Sequence, residues 1–352
     1  MAGPFVPTPQ ATPVVNPAVG STGAPPLPYI SNSEYIFAPT GMAVSDLNPG
    51  AGPAAQAQSL ADVIRRATRW ADSICFGADP GTNGASIAAS LTVDQATIRI
   101  KRGELRLICD YRPLVELVGV AIGTGIGSLA PIDASLFAQA RPGRRTWTLP
   151  FSGPGTIYRS GDLPTTLPYG ASSGSVYAVW SYVNGYPHTS LASNVAQGAT
   201  TCVVSATDGG GGLWAVYPAS GAFPGTDLQV VDGQYTERVF VQAITPNSPS
   251  VGQAPLTTTP FANAHTVPAS PDFIPLTGIP ENVHQVAISL TTMLIKTRGV
   301  RGLVMPTTPG ARPSDQMAKQ LGQAGALEDY DVARKLLAES GLIVHLKHAG
   351  SY

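Results

Sequence analysis

The run Pro280–Gly299, PENVHQVAISLTTMLIKTRG, restricts the possible folds more than any other stretch. Val283, Val286, Ala287, Leu290, Met293 and Leu294 recur at three- and four-residue steps, the period of one helical face. Pro280 suits a first helical position, where its missing N–H costs nothing. Glu281 suits the positive end of the helix dipole, Lys296 and Arg298 the negative end, and Gly299 a stop. An amphipathic helix of this length is stable in water only when its apolar face is covered. The chain must therefore supply a second apolar surface.

Ser59–Cys75, SLADVIRRATRWADSIC, is the natural partner. Ser59 and Asp62 make a start resembling a capping box, and Leu60, Val63, Ile64, Ala67, Ala71 and Ile74 form a stripe. Arg65, Arg66, Arg69 and Asp72 fall on the other faces, and Trp70 borders the stripe. The basic trio reads as a solvated face or as a phosphate contact. A short helix over Ser314–Leu321 is expected near the end of the chain. So is a last helix capped by Asp329 or Asp331, carrying Val332, Ala333, Leu336 and Leu337 and ending at Gly341.

Between these helices the pattern changes to period two. Thr97–Cys109 reads as a hairpin around Lys101–Glu104, followed by strands at Leu114–Ile122, Ile132–Phe137, Thr146–Leu149 and Val176–Val183. Thr200–Ser205, Thr226–Val231 and Glu237–Ile244, separated by Gly- and Asp-rich turns, read as a small all-β module. Residues 1–58 hold eleven prolines and only two charged residues, Glu34 and Asp46. That composition fits an extended arm or a disordered tail. The fold class expected is α+β: a small helical bundle split by inserted β-rich lobes, with an extended Pro-rich N-terminal arm. The segments are 1–58 (arm), 59–170 (first core helix and β section), 171–277 (inserted β module), 278–341 (closing helices) and 342–352 (tail).

Charge is sparse, at 12% of residues with a net of -1, so no general attraction to nucleic acid is expected. Cys75, Cys109 and Cys202 make neither a disulfide framework nor a zinc pattern and read as small core residues. No apolar run is long enough to span a membrane, and no secretory signal is expected. Gly170–Gly174, GASSG, matches G-x-S-x-G, but a nucleophile elbow needs a strand before and a helix after, and prolines precede this string. His188, His265, His284, His345 and His348 show no metal-ligand spacing. Gly123–Gly127 lacks the third glycine of a dinucleotide fingerprint and reads as a turn. No catalysis, cofactor or metal is expected.

Several stretches in consistent order resemble the head–tail connector (head-to-tail adaptor) proteins of tailed bacteriophages. LADVIRRATRWADSICFG resembles their first helix, and IRIKRGELRLICDYRPLVELVGVAIG the strand pair that follows. YVNGYPHTSLASNVAQGATTCVVSATDG, FPGTDLQVVDGQYTERVFVQAI and PFANAHTVPA are similar to the β module inserted in long versions. VHQVAISLTTMLIKTRGVRGLVM and EDYDVARKLLAESG look like the closing helices. The resemblance runs from about Leu60 to Gly341 and leaves residues 1–58 without a counterpart.

It implies a structural virion protein, assembled in the host cytoplasm, that forms a ring at the head–tail junction. A dodecamer is expected, seated on the portal protein and extending the DNA channel. The ring would offer a platform to a stopper or tail-completion protein and pass DNA without reading its sequence. The arm would reach a neighbour or the major capsid protein. Candidate subunit or portal contacts are Arg65, Arg69, Trp70, Met293, Lys296, Arg298, Leu342, Val344, Leu346 and Tyr352. The tail reads either as a docking segment or as a frayed end. Other readings are a tail, baseplate or capsid-decorating protein, marked by dominant β content without the closing helices, and a secreted carbohydrate-binding or hydrolytic β protein.

Overall fold

The computed structural model describes residues 27–77, 86–101, 103–123, 125–126, 129–132, 139–150, 173–205, 227–233, 235–244, 253–298, 303 and 308–343. Contacts divide the chain into two compact units, one built on Leu91–Asn184 and the other on Ser21–Ser90 with Gly185–Tyr352.

The first unit is a seven-stranded antiparallel sheet. Its strands are β1 (Ser90–Lys101), β2 (Glu104–Ile108), β3 (Leu114–Gly123), β4 (Ala130–Pro131), β5 (Arg141–Pro142), β6 (Thr146–Pro150) and β7 (Ser173–Asn184), in the spatial order β4-β3-β7-β1-β2-β6-β5. Lys101 pairs with Glu104 across the expected hairpin. In β2 the period of two is strict: Leu105 and Leu107 are buried, while Arg106 and Ile108 are exposed. Trp147 and Leu149 of β6 lie opposite Leu107 and Leu105 and join the same core. Two register shifts between β3 and β7, at Leu114/Glu116 and Leu117/Gly119, add local twist to that pair.

The second unit combines helices with another sheet. Strands β8 (His188–Ser190), β9 (Thr201–Ser205), β10 (Asp227–Val230), β11 (Glu237–Ile244), β12 (Gln253–Thr258) and β13 (Pro275–Thr277) lie in the order β8-β13-β10-β11-β12-β9. The sheet curls until its two edges meet. Leu191, one residue beyond β8, bridges Val204 of β9, and the Ala192 N–H donates to the Val203 carbonyl at 2.8 Å. Edge-to-edge closure uses backbone donors that an open sheet would leave free.

Its helices are α1 (Asn32–Phe37), α2 (Pro53–Phe76), α3 (Glu281–Lys296), α4 (Asp315–Gln323) and α5 (Leu327–Glu339). Leu60, Ile64, Ala67 and Ala71 of α2 share one core with Val286, Leu290 and Met293 of α3 and Tyr330, Ala333 and Leu337 of α5. Trp70 meets Tyr330 edge-on, with ring centroids 6.3 Å apart.

The expected helical bundle with β insertions is not what forms. Among the described residues thirteen strands in two curled antiparallel sheets outweigh five helices, and the fold is β-rich. Leu91–Asn184 buries its own apolar face within its own sheet, around Trp147, Trp180 and Tyr182, and so is a unit in its own right. This unit ends at Asn184, after β7. The extended arm is also corrected over its described part. Tyr29, Ile30 and Tyr35 are at most 2% exposed, and α1 and the start of α2 lie within what composition alone marked as arm.

Helix ends differ in smaller ways. α2 starts at Pro53, so Ser59 is interior and its hydroxyl donates to the Ala55 carbonyl at 2.9 Å. Pro280 is the N-cap of α3, with the helix proper starting at Glu281. Ser314 caps α4 through the Met317 N–H, and α5 is preceded by Ala326 rather than by an aspartate. The expected strand Ile132–Phe137 lies outside the described residues beyond Ile132.

Candidate functional site

The segment from Pro28 to Phe37 is where ionisable chemistry concentrates in the second unit. Ser31 caps α1 by accepting the Glu34 N–H at 3.0 Å, which turns Glu34 and Tyr35 inward. The Tyr35 hydroxyl donates to Thr292 Oγ1 at 3.1 Å, because that threonine uses its own proton on the Ile288 carbonyl. Glu34 Oε1 accepts from His284 Nδ1 at 2.6 Å, while Glu34 Oε2 and His284 Nε2 are buried without a partner. Asp272 accepts the N–H groups of Asn32 and Ser33, at 2.9 and 3.3 Å, and the Ser33 hydroxyl. The Pro28 carbonyl accepts from His188 Nε2 at 2.8 Å, which fixes the proton on that nitrogen. Burial holds His188 down at about 4, so its ring is neutral near pH 7.

At the inner end of the segment lies Asp72 of α2. Tyr29 Oη is 2.5 Å from Asp72 Oδ1, and the Tyr29 N–H donates to Thr68 Oγ1 at 3.1 Å. The Ile87 N–H also reaches Asp72 Oδ1, at 3.0 Å, and Ser86 Oγ lies 3.4 Å from Oδ2. Burial lifts the Asp72 carboxyl to about 7, against the opposing hydrogen bonds from Tyr29, Ile87 and Ser86.

Two further polar groupings occur. His265 sits between two carboxylates, with Nδ1 2.7 Å from Asp232 and Nε2 2.8 Å from Glu237. Glu237 also accepts the N–H groups of Ala262 and Asn263, at 2.6 and 2.9 Å. Burial pushes the Glu237 carboxyl up, but these donors together outweigh it and hold the group below the usual glutamate range. The result is a clasp between the β10–β11 turn and the 261–265 loop. In the first unit Asp94 accepts from the Tyr182 hydroxyl at 2.8 Å and from the Asp110 N–H at 3.2 Å, and burial lifts its carboxyl to about 6. Cys109 nearby is pushed up to about 12 by burial, a protonated and unreactive thiol. Cys75 and Cys202 are likewise free and buried.

The residues picked from sequence as contacts scatter. Trp70, Met293 and Leu342 are buried in the core of their own unit. Arg65 pairs with Asp62 at 2.7 Å, one helical turn away on α2, and Lys296 with Asp329 at 2.8 Å. The Arg298 guanidinium donates to the Asp46 carbonyl, and Arg69 is exposed. Val344, Leu346 and Tyr352 lie outside the described residues, as do His345, His348 and Gly170–Ser172 of the GASSG string.

Sequence reasoning missed the ties to Asp72, Asp272, His284 and His265. One signal was available. Asp72 falls four residues after Thr68 and eight after Ile64, on the buried stripe of α2 rather than on an outer face, and is 4% exposed. The other ties join residues up to 250 apart in sequence, which no local pattern encodes.

Among the described residues no group of three or more His, Cys, Asp or Glu side chains is placed to hold a metal. Among the same residues no helix is long and apolar enough to cross a membrane. Comparison with protein-family models, with curated proteins and with solved structures finds no match to this chain.

Proposed function

We propose that this protein is a structural, non-catalytic assembly subunit of a tailed-phage neck: a head-to-tail adaptor that forms a ring on the portal and receives the stopper or tail. The ordered sequence resemblance from Leu60 to Gly341 motivates the reading, and one structural observation supports it most. Buried ionisable groups in the second unit tie the chain to itself, through Asp72, Asp272, Glu34–His284 and the His265 clasp. That unit also leaves large apolar side chains exposed: Ile36 at 57%, Phe37 at 59% and Tyr235 at 53%. Polar groups used for cohesion and large apolar groups left outside suit a subunit that meets other protein surfaces. Negative-stain imaging of the purified protein, alone and with a portal, tests this. Rings of portal-like symmetry support it; monomers that ignore the portal overturn it.

The dominance of two antiparallel sheets favours a second reading, a tail, baseplate or capsid-decorating protein, while the presence of the closing helices α3, α4 and α5 counts against it. Gold-labelled antibody on intact particles separates the two: label at the neck supports the adaptor, and label along the tail or over the capsid supports the alternative.

A further inference from the structure

Asp72, Tyr29 and Ser86 close a ring of three hydrogen-bonding side chains between three separate parts of the chain. Tyr29 Oη is 2.5 Å from Asp72 Oδ1, Ser86 Oγ is 2.9 Å from Tyr29 Oη, and Ser86 Oγ is 3.4 Å from Asp72 Oδ2. With Asp72 as a carboxylic acid, every member of this ring donates once. Asp72 Oδ2–H points to Ser86 Oγ, Ser86 O–H to Tyr29 Oη, and Tyr29 O–H to Asp72 Oδ1. The remaining acceptor position on the phenol faces the N–H of Ala88 at 3.3 Å, and the Ile87 N–H is shared between the phenol, at 3.1 Å, and Asp72 Oδ1, at 3.0 Å. Removing one proton breaks the circuit, since Ser86 then has one hydrogen for two acceptors, and leaves a charge on a side chain that is 4% exposed.

Donors from Tyr29, Ile87 and Ser86 still face that charge, but burial outweighs them. On α2 the neighbouring titratable group is Cys75, whose thiol is pushed well up by burial first and by Asp72 second, and so stays neutral. On the N-terminal segment it is Tyr29, raised well above the usual tyrosine value by burial and then by Asp72. Across Tyr29 lies His188, with ring centroids 5.7 Å apart, neutral near pH 7 and hydrogen-bonded to Pro28 rather than to Asp72. The side of Ser86 and Ile87 brings a hydroxyl and amides. Beyond His188, Glu34 and His284 pair with each other.

We propose that Asp72 holds the N-terminal segment down as a neutral acid, so that its ionisation loosens Tyr29–Ala38 and Ser86–Ala89: a proton-gated anchor. This does not depend on where the protein assembles. The sign follows from linkage. Burial raises the carboxyl to about 7 in the closed state, above the ordinary aspartate value it regains when the segment lifts. The anchor is therefore strongest below the ordinary aspartate value, weakens as pH rises toward 7 and levels off above that.

Hydrogen exchange of the full chain, corrected for intrinsic rates, tests the proposal at pH 5.5 and 8.5. In the wild type, opening of the 29–38 and 86–89 amides should rise roughly 30-fold between these pH values. In Asp72→Asn, which keeps the shape and cannot ionise, the rise should be less than about threefold. A wild-type rise below about tenfold, or an equal rise in Asp72→Asn, overturns it. If that variant does not fold, a carbon-13 NMR titration of the Asp72 carboxyl in the unaltered protein decides. A midpoint of 6 or above supports the anchor, and a lower one overturns it.

Discussion

At the residue scale, the buried carboxylates of the two units face opposite demands. Asp94 is stabilised by Tyr182 and the Asp110 N–H but desolvated enough to sit at about 6, whereas Glu237 is held low by its amide donors and His265. The two respond to pH with opposite sign. For Asp94 the folded value lies above the unfolded one, so its contribution is full below the unfolded value and is lost as pH rises through about 6. For Glu237 the contribution is present above the unfolded value and lost as pH falls through the folded one. Asp94→Asn should accordingly flatten the pH dependence of the first unit. Its wild-type form should lose about 2 kcal/mol between pH 4 and pH 8. Urea denaturation followed by the fluorescence of Trp147 and Trp180, which lie in that unit's core, reads the difference. An unchanged slope in the variant would show that Asp94 titrates as an ordinary surface group.

At the scale of elements, the helix cores leave little doubt about what Met293 does. It is fully buried between α2 and α5, so Met293→Ala should lower the stability of the second unit by about 2–5 kcal/mol, measured by denaturant midpoint. A second prediction concerns the turn after β7. Gly185 has φ +95°, and a Cβ there would sit 2.5 Å from the Ala88 carbonyl oxygen, which is backbone and has no rotamer to yield. The flanking bonds, from Ala89 N–H to the Tyr186 carbonyl at 2.7 Å and from Tyr186 N–H to the Ile87 carbonyl at 2.9 Å, keep the two chain segments close. Gly185→Ala should therefore cost at least about 1–3 kcal/mol in the same assay. These elements also show what a sequence conveys. The faces of α2 and α3 and the strands β2, β6 and β11 follow from periodicity, because burial on one side imposes it locally. The fate of Tyr29–Phe37 does not follow. The prolines on either side of it and the sparse charge of residues 1–58 look like a tail, and the features that bury it, Thr68, Asp72, Asp272 and Thr292, are all distant in sequence. The helical-bundle expectation failed for a related reason. Helices announce themselves strongly, whereas the curling of two sheets onto their own apolar faces depends on strand pairings that no single strand reveals.

At the scale of the whole molecule, the end of the described chain sets the terms for testing assembly. Leu342 and Ile343 are 2% and 5% exposed and belong to the helix core. The Leu342 N–H bonds the Leu337 carbonyl at 3.1 Å, and Ile343 rests on Gly310, where a Cβ would come within 2.8 Å of its side chain. Gly310 in turn donates its N–H to the Ile74 carbonyl at the end of α2, at 2.7 Å. Cutting after Gly341 thus removes a packing element along with the tail and would confuse a folding defect with a docking defect. Cutting after Ile343 removes only 344–352. The shorter deletion should leave the denaturant midpoint of the second unit within about 0.5 kcal/mol of the full chain. The deletion from Leu342 should cost about 3–5 kcal/mol, the range for losing buried aliphatic side chains. On the adaptor reading, the 344–352 deletion should fold normally and fail to join the portal in co-sedimentation. A normally folded 1–343 chain that still joins it would place the portal contact elsewhere, with the exposed Ile36, Phe37 and Tyr235 the next surface to alter.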